Sequence, residues 1–139
     1  MLEEIIQVNL KLNINKIDTA ELHLYDEDPD NEDNIKLELH YHGNKIESSS
    51  ENYFDALTDI RDVLEKDDIQ ILCKGANRNV YPSAMQLNMG TGRAAYTLTI
   101  NNQARQKDLV NIFDSSNITE CVSVDEQKEY FNLWIKSLE

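Results

Sequence analysis

Residues 69–107, the acid-free segment, combine basic and hydroxyl side chains with a complete lack of acids. The segment holds five basic residues and none of the 26 aspartates and glutamates of the chain. Each arginine can donate a bidentate pair of hydrogen bonds to a carboxylate or a phosphate, and nearby hydroxyls can donate to the same ligand. The sequence therefore predicts an anion- or partner-binding pocket within residues 75–96. Its candidate binding residues are Arg78, Tyr81, Ser83, Arg93 and Tyr96.

Two other interpretations of this segment remain open. With 26 acids in the chain, Arg78 and Arg93 can form internal ion pairs instead of binding a ligand. Methionine fills irregular gaps in cores, so Met85 and Met89 are also typical of a packed loop that serves only the fold. The sequence contains no hydrolase elbow, phosphate loop, dinucleotide fingerprint or His-Glu-x-x-His motif. We therefore expect a binding protein rather than an enzyme, and we predict no cofactor.

The acidic loop, residues 26–33, is a second region of concentrated charge, with six acids in eight positions. Its first aspartates match the start of a calcium-binding loop. Asn31 stands where that loop needs glycine, however, and Leu37 stands where it needs a bidentate glutamate. We expect a solvated hairpin tip that can contact a basic partner. The candidate contacts are Asp26, Glu27, Asp28, Asp30, Glu32 and Asp33.

The three histidines lie on predicted strands. His40 and His42 are separated by one residue, so on a strand both project to the same face as Glu38. That arrangement could hold a metal ion, and His23 could join it only if its strand pairs in the right register. Polar residues on a solvated sheet face explain the same pattern, and we predict no metal site.

Length and charge define the class of protein. A chain of 139 residues fits one globular domain that spans residues 1–139. The net charge of −13 argues against nucleic-acid binding, because neutralising phosphates requires many lysines and arginines on one face. The charge suits a basic protein partner, although many soluble proteins are simply acidic.

The two cysteines and the N-terminal region bear on the cellular compartment. Cys73 and Cys121 lie in apolar sequence and lack metal-ligand spacing, which is typical of reduced, buried thiols. Glu3 and Glu4 directly follow the first two residues, and the sequence contains no long apolar run. We expect a cytoplasmic protein without a membrane segment.

Apolar periodicity predicts the elements that position these residues. Alternation at residues 6–14, 20–25 and 35–42 predicts three strands, and their short connections favour an antiparallel meander. The apolar residues at 53–64 have helical spacing, preceded by a capping box formed by Ser48 and Glu51.

The rest of the chain completes an α+β fold, an antiparallel sheet with helices packed on one face. Further strands are predicted at 69–73 and 96–100, and short helices at 82–89, ended by Gly90, and at 109–113. A second capping box, Ser123 with Glu126, begins the last helix. The apolar face of that helix contains Val124, Phe131, Trp134, Ile135 and Leu138.

The acid-free segment also carries a long motif. From Cys73 to Tyr96 it reads Cys-x-Gly-x-x-Arg-x-Val-Tyr-Pro-Ser-x-Met-x-x-x-Met-Gly-x-Gly-x-x-Ala-Tyr. This motif resembles a family of small bacterial proteins of unknown function, and the resemblance extends to residues 103–105, 108–110, 112–113, 126–128 and 134–138. The resemblance implies a toxin–immunity setting, but it assigns no role to any residue.

Two functions follow as hypotheses. The first is a small, acidic, cytoplasmic bacterial protein of the immunity type, which neutralises a toxin by binding its basic domain, with the acidic loop as one contact. The alternative is a small domain or enzyme that binds an anion or nucleotide in the 75–96 pocket. In that case His40 or His42 would have to reach the pocket, because tyrosine and serine without a nearby base are weak catalysts.

Overall fold

A computed structural model of the chain describes residues 1–13, 16–89 and 91–139. The strands of a large sheet are β1 (Glu4–Lys11), β2 (Ile17–Tyr25), β3 (Ile35–Tyr41), β4 (Asn44–Ser50) and β5 (Gln70–Leu72). A small sheet contains β6 (Val80–Tyr81), β7 (Ala94–Thr97) and β8 (Leu109–Asn111). The helices are α1 (Tyr53–Glu65), α2 (Ala84–Met89) and α3 (Val124–Ser137). The large sheet has the order β4-β3-β2-β1-β5 and is antiparallel throughout. The predicted α+β class is confirmed.

The predicted meander is confirmed in β1, β2 and β3, where each strand pairs with the next along the chain. Their apolar residues, such as Leu10, Leu22 and Leu37, lie on one face and are fully buried. Polar residues such as Glu21 lie on the other face, because successive side chains alternate across a strand. The predicted continuation of the first strand to Ile14 falls outside the described residues.

A tight turn at His42 and Gly43 adds a fourth strand that the periodicity did not predict. Both residues have positive φ angles, 48° and 77°, which is typical of the two-residue turns that join hairpin strands. The chain then pairs back along β3 as β4. Most side chains of β4 are polar, as suits an edge strand, so the strand lacks the apolar alternation that marks β1 to β3.

The predicted capping box at Ser48 and Glu51 is wrong. Ser48 lies within β4, and its hydroxyl donates to Asp59 Oδ2 at 2.7 Å. Asn52 caps α1 instead, because its Oδ1 accepts a hydrogen bond from the amide of Asp55 at 2.8 Å. The helix itself is confirmed close to its predicted bounds.

Helix α1 lies between the two sheets. One side packs on the apolar face of the large sheet, and the other meets the turn at Gly75. A Cβ atom at Gly75 would lie 2.6 Å from Leu57 of α1 and 2.9 Å from Ile112, so only glycine allows this close approach. One cluster of buried apolar side chains extends from the large sheet through α1 to Val80 and Ala95 of the small sheet.

Two short elements differ from the predictions. Residues 109–111 form β8, which pairs with β7, so the predicted helix at 109–113 is wrong. The short helix predicted at 82–89 is α2, which begins after Ser83 rather than at Pro82. Gly90, its predicted end, falls outside the described residues. The predicted cap of the last helix is confirmed, since Ser123 Oγ accepts from the amide of Glu126 at 3.1 Å.

Candidate functional site

The two arginines of the acid-free segment pair with carboxylates from other elements. Arg78 Nη2 lies 3.2 Å from Glu126 Oε2 at the start of α3. Arg93 Nη1 lies 2.9 Å from Glu4 Oε1 in β1, and its guanidinium lies over the Phe113 ring, 5.7 Å from the ring centroid. These are internal ion pairs, the alternative that the sequence left open. Both are partly exposed, and such pairs typically contribute about 0–1 kcal/mol.

Tyr81, Ser83 and Tyr96 do lie together, along an open groove of about 470 Å³ between the small sheet and α3. Neither arginine lines this groove. The Tyr81 and Phe131 rings stack with centroids 4.0 Å apart. The other walls are mostly apolar, so the groove suits an apolar or aromatic side chain better than an anion. They are formed mainly by Leu98, Phe131, Trp134, Ile135 and Leu138.

The hydroxyls of Ser83 and Tyr81, which line the groove, already have partners. Ser83 Oγ accepts from the amide of Gln86 at 3.2 Å, and Gln86 Oε1 accepts from the amide of Ser83 at 2.9 Å. This reciprocal pair is a capping box that begins α2. Tyr81 Oη accepts from Lys128 Nζ at 3.2 Å, and that ammonium also lies over the Tyr81 ring. Ser83 thus has a role in the fold as well as a place at the groove.

The most deeply buried charged side chain, Arg61 of α1, was missed in the sequence. Arg61 is 1% exposed and donates to Gly75 O at 3.3 Å, Val122 O at 2.9 Å and Gln127 Oε1 at 2.6 Å. Burial lowers the pKa of its guanidinium, although arginine keeps its charge in proteins. Among the described residues, its Nε has no hydrogen-bond partner.

Gln127 of α3 completes this buried network. It is 2% exposed, and its Nε2 lies within 2.9 Å of the carbonyl oxygens of Gly75, Asn77 and Val80. Gly75 and Asn77 belong to the irregular part of the acid-free segment before β6, and Val80 is the first residue of β6. Arg61 and Gln127 could have been found in the sequence, because each occupies a position on the apolar face of its helix.

The acidic loop is held in place by its own side chains. Asp28 Oδ1 accepts from the amide of Asp30 at 3.0 Å, and Asn31 Oδ1 accepts from the amide of Asp33 at 3.1 Å. These are two consecutive Asx turns. A hydrogen bond from the Ser49 hydroxyl, together with the Asp30 amide, holds the pKa of Asp28 below its ordinary value.

The six predicted contacts in the acidic loop therefore separate into two groups. Asp28 is buried in the loop, and Asp26 Oδ1 accepts from Tyr53 Oη at 2.7 Å, so both help to fix the loop on the fold. The other four are exposed, and none forms an ion pair with any residue that the structure describes. They are Glu27, Asp30, Glu32 and Asp33.

A histidine cluster lies on the solvated face of the large sheet. The register of β2 and β3 places His23 opposite Glu38 and Glu21 opposite His40. The rings of His23 and His40 stack with centroids 3.8 Å apart. Potential ligand atoms of His23, Glu38 and His40 all lie within 4.8 Å of one another. The register thus meets the condition that the sequence left open for His23.

His42 does not join this cluster. β3 ends at Tyr41, and His42 occupies the tight turn, where its ring pairs with Asp18 instead. The prediction that His40 and His42 share a face with Glu38 is therefore wrong for His42.

Glu38 is the centre of the histidine cluster and is only 5% exposed. Its Oε1 accepts from His40 Nε2 at 2.9 Å and from Tyr25 Oη at 3.3 Å. Its Oε2 lies 3.2 Å from Lys36 Nζ and 3.9 Å from Lys45 Nζ. Burial alone would raise the pKa of Glu38, but hydrogen bonds from His40 and Lys36 outweigh it and lower that pKa. The carboxylate is therefore ionised at neutral pH.

No protein-family model matches this chain, and no curated protein matches it. The bacterial family suggested by the motif from Cys73 to Tyr96 therefore stays a prediction. Within the described parts of the chain, no helix has the length and apolar character needed to cross a membrane.

Proposed function

We propose that this protein is an immunity-type binding protein that neutralises a basic toxin domain by direct contact. The observation that carries the proposal is the exposed carboxylate group of the acidic loop. Glu27, Asp30, Glu32 and Asp33 project from one short loop and form no ion pair with any residue in the described ranges. Like charges gathered in this way attract an oppositely charged partner and accelerate its association.

The rigidity of the acidic loop supports this proposal. Besides the two Asx turns, the amide of Asp28 donates to Asn34 O at 2.8 Å, and the amide of Asn34 donates to Asn31 O at 3.0 Å. A loop that is already ordered loses little conformational entropy when it binds a partner. The backbone that carries the exposed carboxylates is therefore held in one arrangement.

The groove provides an apolar surface in addition to the charged surface of the acidic loop. Neighbouring residues at the start of α1 connect the two surfaces: Tyr53 donates to Asp26 of the acidic loop, and the Phe54 ring meets the Tyr81 ring edge-on at 5.0 Å. A partner that reaches both surfaces would combine a charged rim with buried apolar contacts, as protein interfaces do. The alternative of an anion pocket has less support, because Arg78 and Arg93 pair with Glu126 and Glu4.

The proposal is tested by co-expression with the products of neighbouring genes, chosen for a basic toxin-like domain. We expect a stable complex, protection of the cells, and an association rate that falls as salt increases. Neutralising the four exposed loop acids (Glu27→Gln, Asp30→Asn, Glu32→Gln and Asp33→Asn) should slow association at low salt by about tenfold or more.

A matched control separates local contact from overall charge. Glu51, Asp62, Asp67 and Glu129 are also exposed and form no ion pair among the described residues. Converting these four to their amides changes the net charge equally and should leave the association rate much less affected. Equal slowing by both sets of substitutions, or no complex and no protection, would exclude the proposed role of the acidic loop.

A further inference from the structure

The histidine cluster shares no residue with the acidic loop or the groove, and neither surface gives it a role. The geometry points to a binding site for a divalent first-row transition-metal ion, with His23, His40 and Glu38 as protein ligands. The register of β2 and β3 brings the three side chains together from residues 17 positions apart or less. The site would exist as soon as the hairpin forms, because all its ligands belong to these two adjacent strands.

The donor atoms select the class of metal. Two imidazole nitrogens and one carboxylate oxygen suit Zn²⁺ or Cu²⁺, whereas Ca²⁺ and Mg²⁺ bind mainly through oxygen. Bonds of about 2.0–2.2 Å that meet at about 90–110° place two donor atoms roughly 2.8–3.6 Å apart. The distance from His40 Nε2 to Glu38 Oε1 is 2.9 Å. A metal ion can therefore replace the proton that these two atoms share.

His23 supplies the third ligand when its ring exchanges its present partner, Glu21, for the metal ion. Its Nε2 now lies 3.1 Å from Glu21 Oε1, and the stacked rings keep it beside His40. Because the candidate ligand atoms already lie within 4.8 Å of one another, side-chain rotation alone brings them to a common ion. Glu21 would remain beside His23 and could accept a hydrogen bond from a metal-bound water.

The two lysines near Glu38 approach only one of its two carboxylate oxygens. Lys36 and Lys45 approach Oε2, whereas His40 approaches Oε1. Lys36 can therefore hold the carboxylate in place through Oε2 while Oε1 binds the metal, as residues around metal ligands commonly do. Both lysines also contact Glu47, which offsets part of their positive charge. The side chain of His40 is 37% exposed, so an ion can enter from solvent.

The test uses the full chain without a histidine tag, titrated with ZnCl₂ or CuCl₂ and followed by calorimetry. We expect saturable binding of one ion, weakened about tenfold or more by His23→Gln or His40→Gln. His42→Gln is the matched control, because His42 lies outside the cluster, and it should retain the wild-type affinity. CaCl₂ should show no saturable binding. Wild-type affinity in the His23→Gln and His40→Gln variants, or an equal loss in His42→Gln, would overturn the proposal.

A second measurement does not depend on substitutions that could disturb the fold. The electron paramagnetic resonance spectrum of the Cu²⁺-loaded wild-type protein should show coupling to two imidazole nitrogens. Coupling to one nitrogen or none would overturn the site as described, as would the absence of any saturable Cu²⁺ binding.

Discussion

At the scale of single residues, a buried amide and a buried guanidinium support the irregular part of the acid-free segment. Gln127 and Arg61 come from two different helices, yet both donate to Gly75 O. An unsatisfied buried carbonyl costs roughly 1–3 kcal/mol. The segment can therefore leave regular secondary structure only because side chains from α1 and α3 supply the missing donors.

Replacing Gln127 should reveal this dependence. Gln127→Leu keeps a similar volume but removes the donor to Gly75 O, Asn77 O and Val80 O. We expect the free energy of unfolding in urea to fall by about 2–4 kcal/mol. The control is Gln106→Leu at an exposed position, which should change it by less than about 0.5 kcal/mol. Similar effects of the two substitutions would contradict the role of Gln127.

A pH dependence follows from the buried thiols. Burial raises the pKa of Cys73 to about 12, and burial also raises the pKa of Cys121. Below the ordinary thiol pKa of 9.0, both thiols keep their protons in the folded and unfolded states. Above it, the unfolded chain loses protons that the folded chain retains, so stability falls as the pH rises from about 9 towards 12.

This effect can be isolated by comparison with Cys73→Ala. Between pH 8 and pH 10, the wild-type free energy of unfolding should fall by about 1 kcal/mol more than that of the variant. Denaturant titrations at both pH values measure the difference, and tyrosine ionisation cancels because both proteins contain the same tyrosines. Parallel pH profiles would show that Cys73 does not contribute.

At the scale of elements, apolar periodicity predicted the strands and helices that bury one face. It missed β4 and β8, whose conformations are set by the turn or strand beside them. β1, β2 and β3 alternate strictly because one face is buried, and α1 has clear helical spacing. β4 is a mostly polar edge strand fixed by the turn at His42 and Gly43. β8 is too short to show a period, and its pairing with β7 overrides the apparent helical spacing of residues 109–113.

The start of α1 gives a direct test of one corrected element boundary. Asn52→Ala should lower the free energy of unfolding by about 1–2 kcal/mol, because it removes the acceptor of the Asp55 amide. Glu51→Ala should have almost no effect, since Glu51 is exposed and does not cap the helix. Thermal unfolding of both variants would decide between the two caps. A larger loss in Glu51→Ala would restore the capping box predicted from Ser48 and Glu51.

The candidate sites were predictable only to the extent that they depend on local sequence. The acid-free segment identified a chemically distinct region, and the acidic loop is contiguous in the chain. The partners of Arg78 and Arg93 lie 48 and 89 positions away, so only the folded chain reveals them. The histidine cluster likewise depends on strand register, which a shift of one residue would destroy.

At the scale of the whole molecule, the exposed acids of the loop should oppose folding while they favour partner binding. A net charge of −13 repels itself in the compact state. Neutralising Glu27, Asp30, Glu32 and Asp33 should therefore raise the Tm of the unbound protein by about 2–5 °C at low salt. The difference should shrink in 0.5 M NaCl as screening increases.

Thermal unfolding at the two salt concentrations measures this effect. The amide variant at Glu51, Asp62, Asp67 and Glu129 should gain less, because those acids are spread over the surface rather than gathered in one loop. A lower Tm for the loop variant at both salt concentrations would show that its carboxylates stabilise the fold instead.

Tyr53 and Phe54 connect the acidic loop to the groove, so both surfaces are attached to the first turn of α1. The amide of Tyr53 also donates to Thr91 O at 2.7 Å, so this turn ties the chain before β7 to the same point. Local unfolding of that turn would free the acidic loop, the side of the groove at Tyr81 and the segment before β7 together, as one cooperative unit. A partner bound at the loop alone would oppose that opening, and would therefore also stabilise the groove without contacting it.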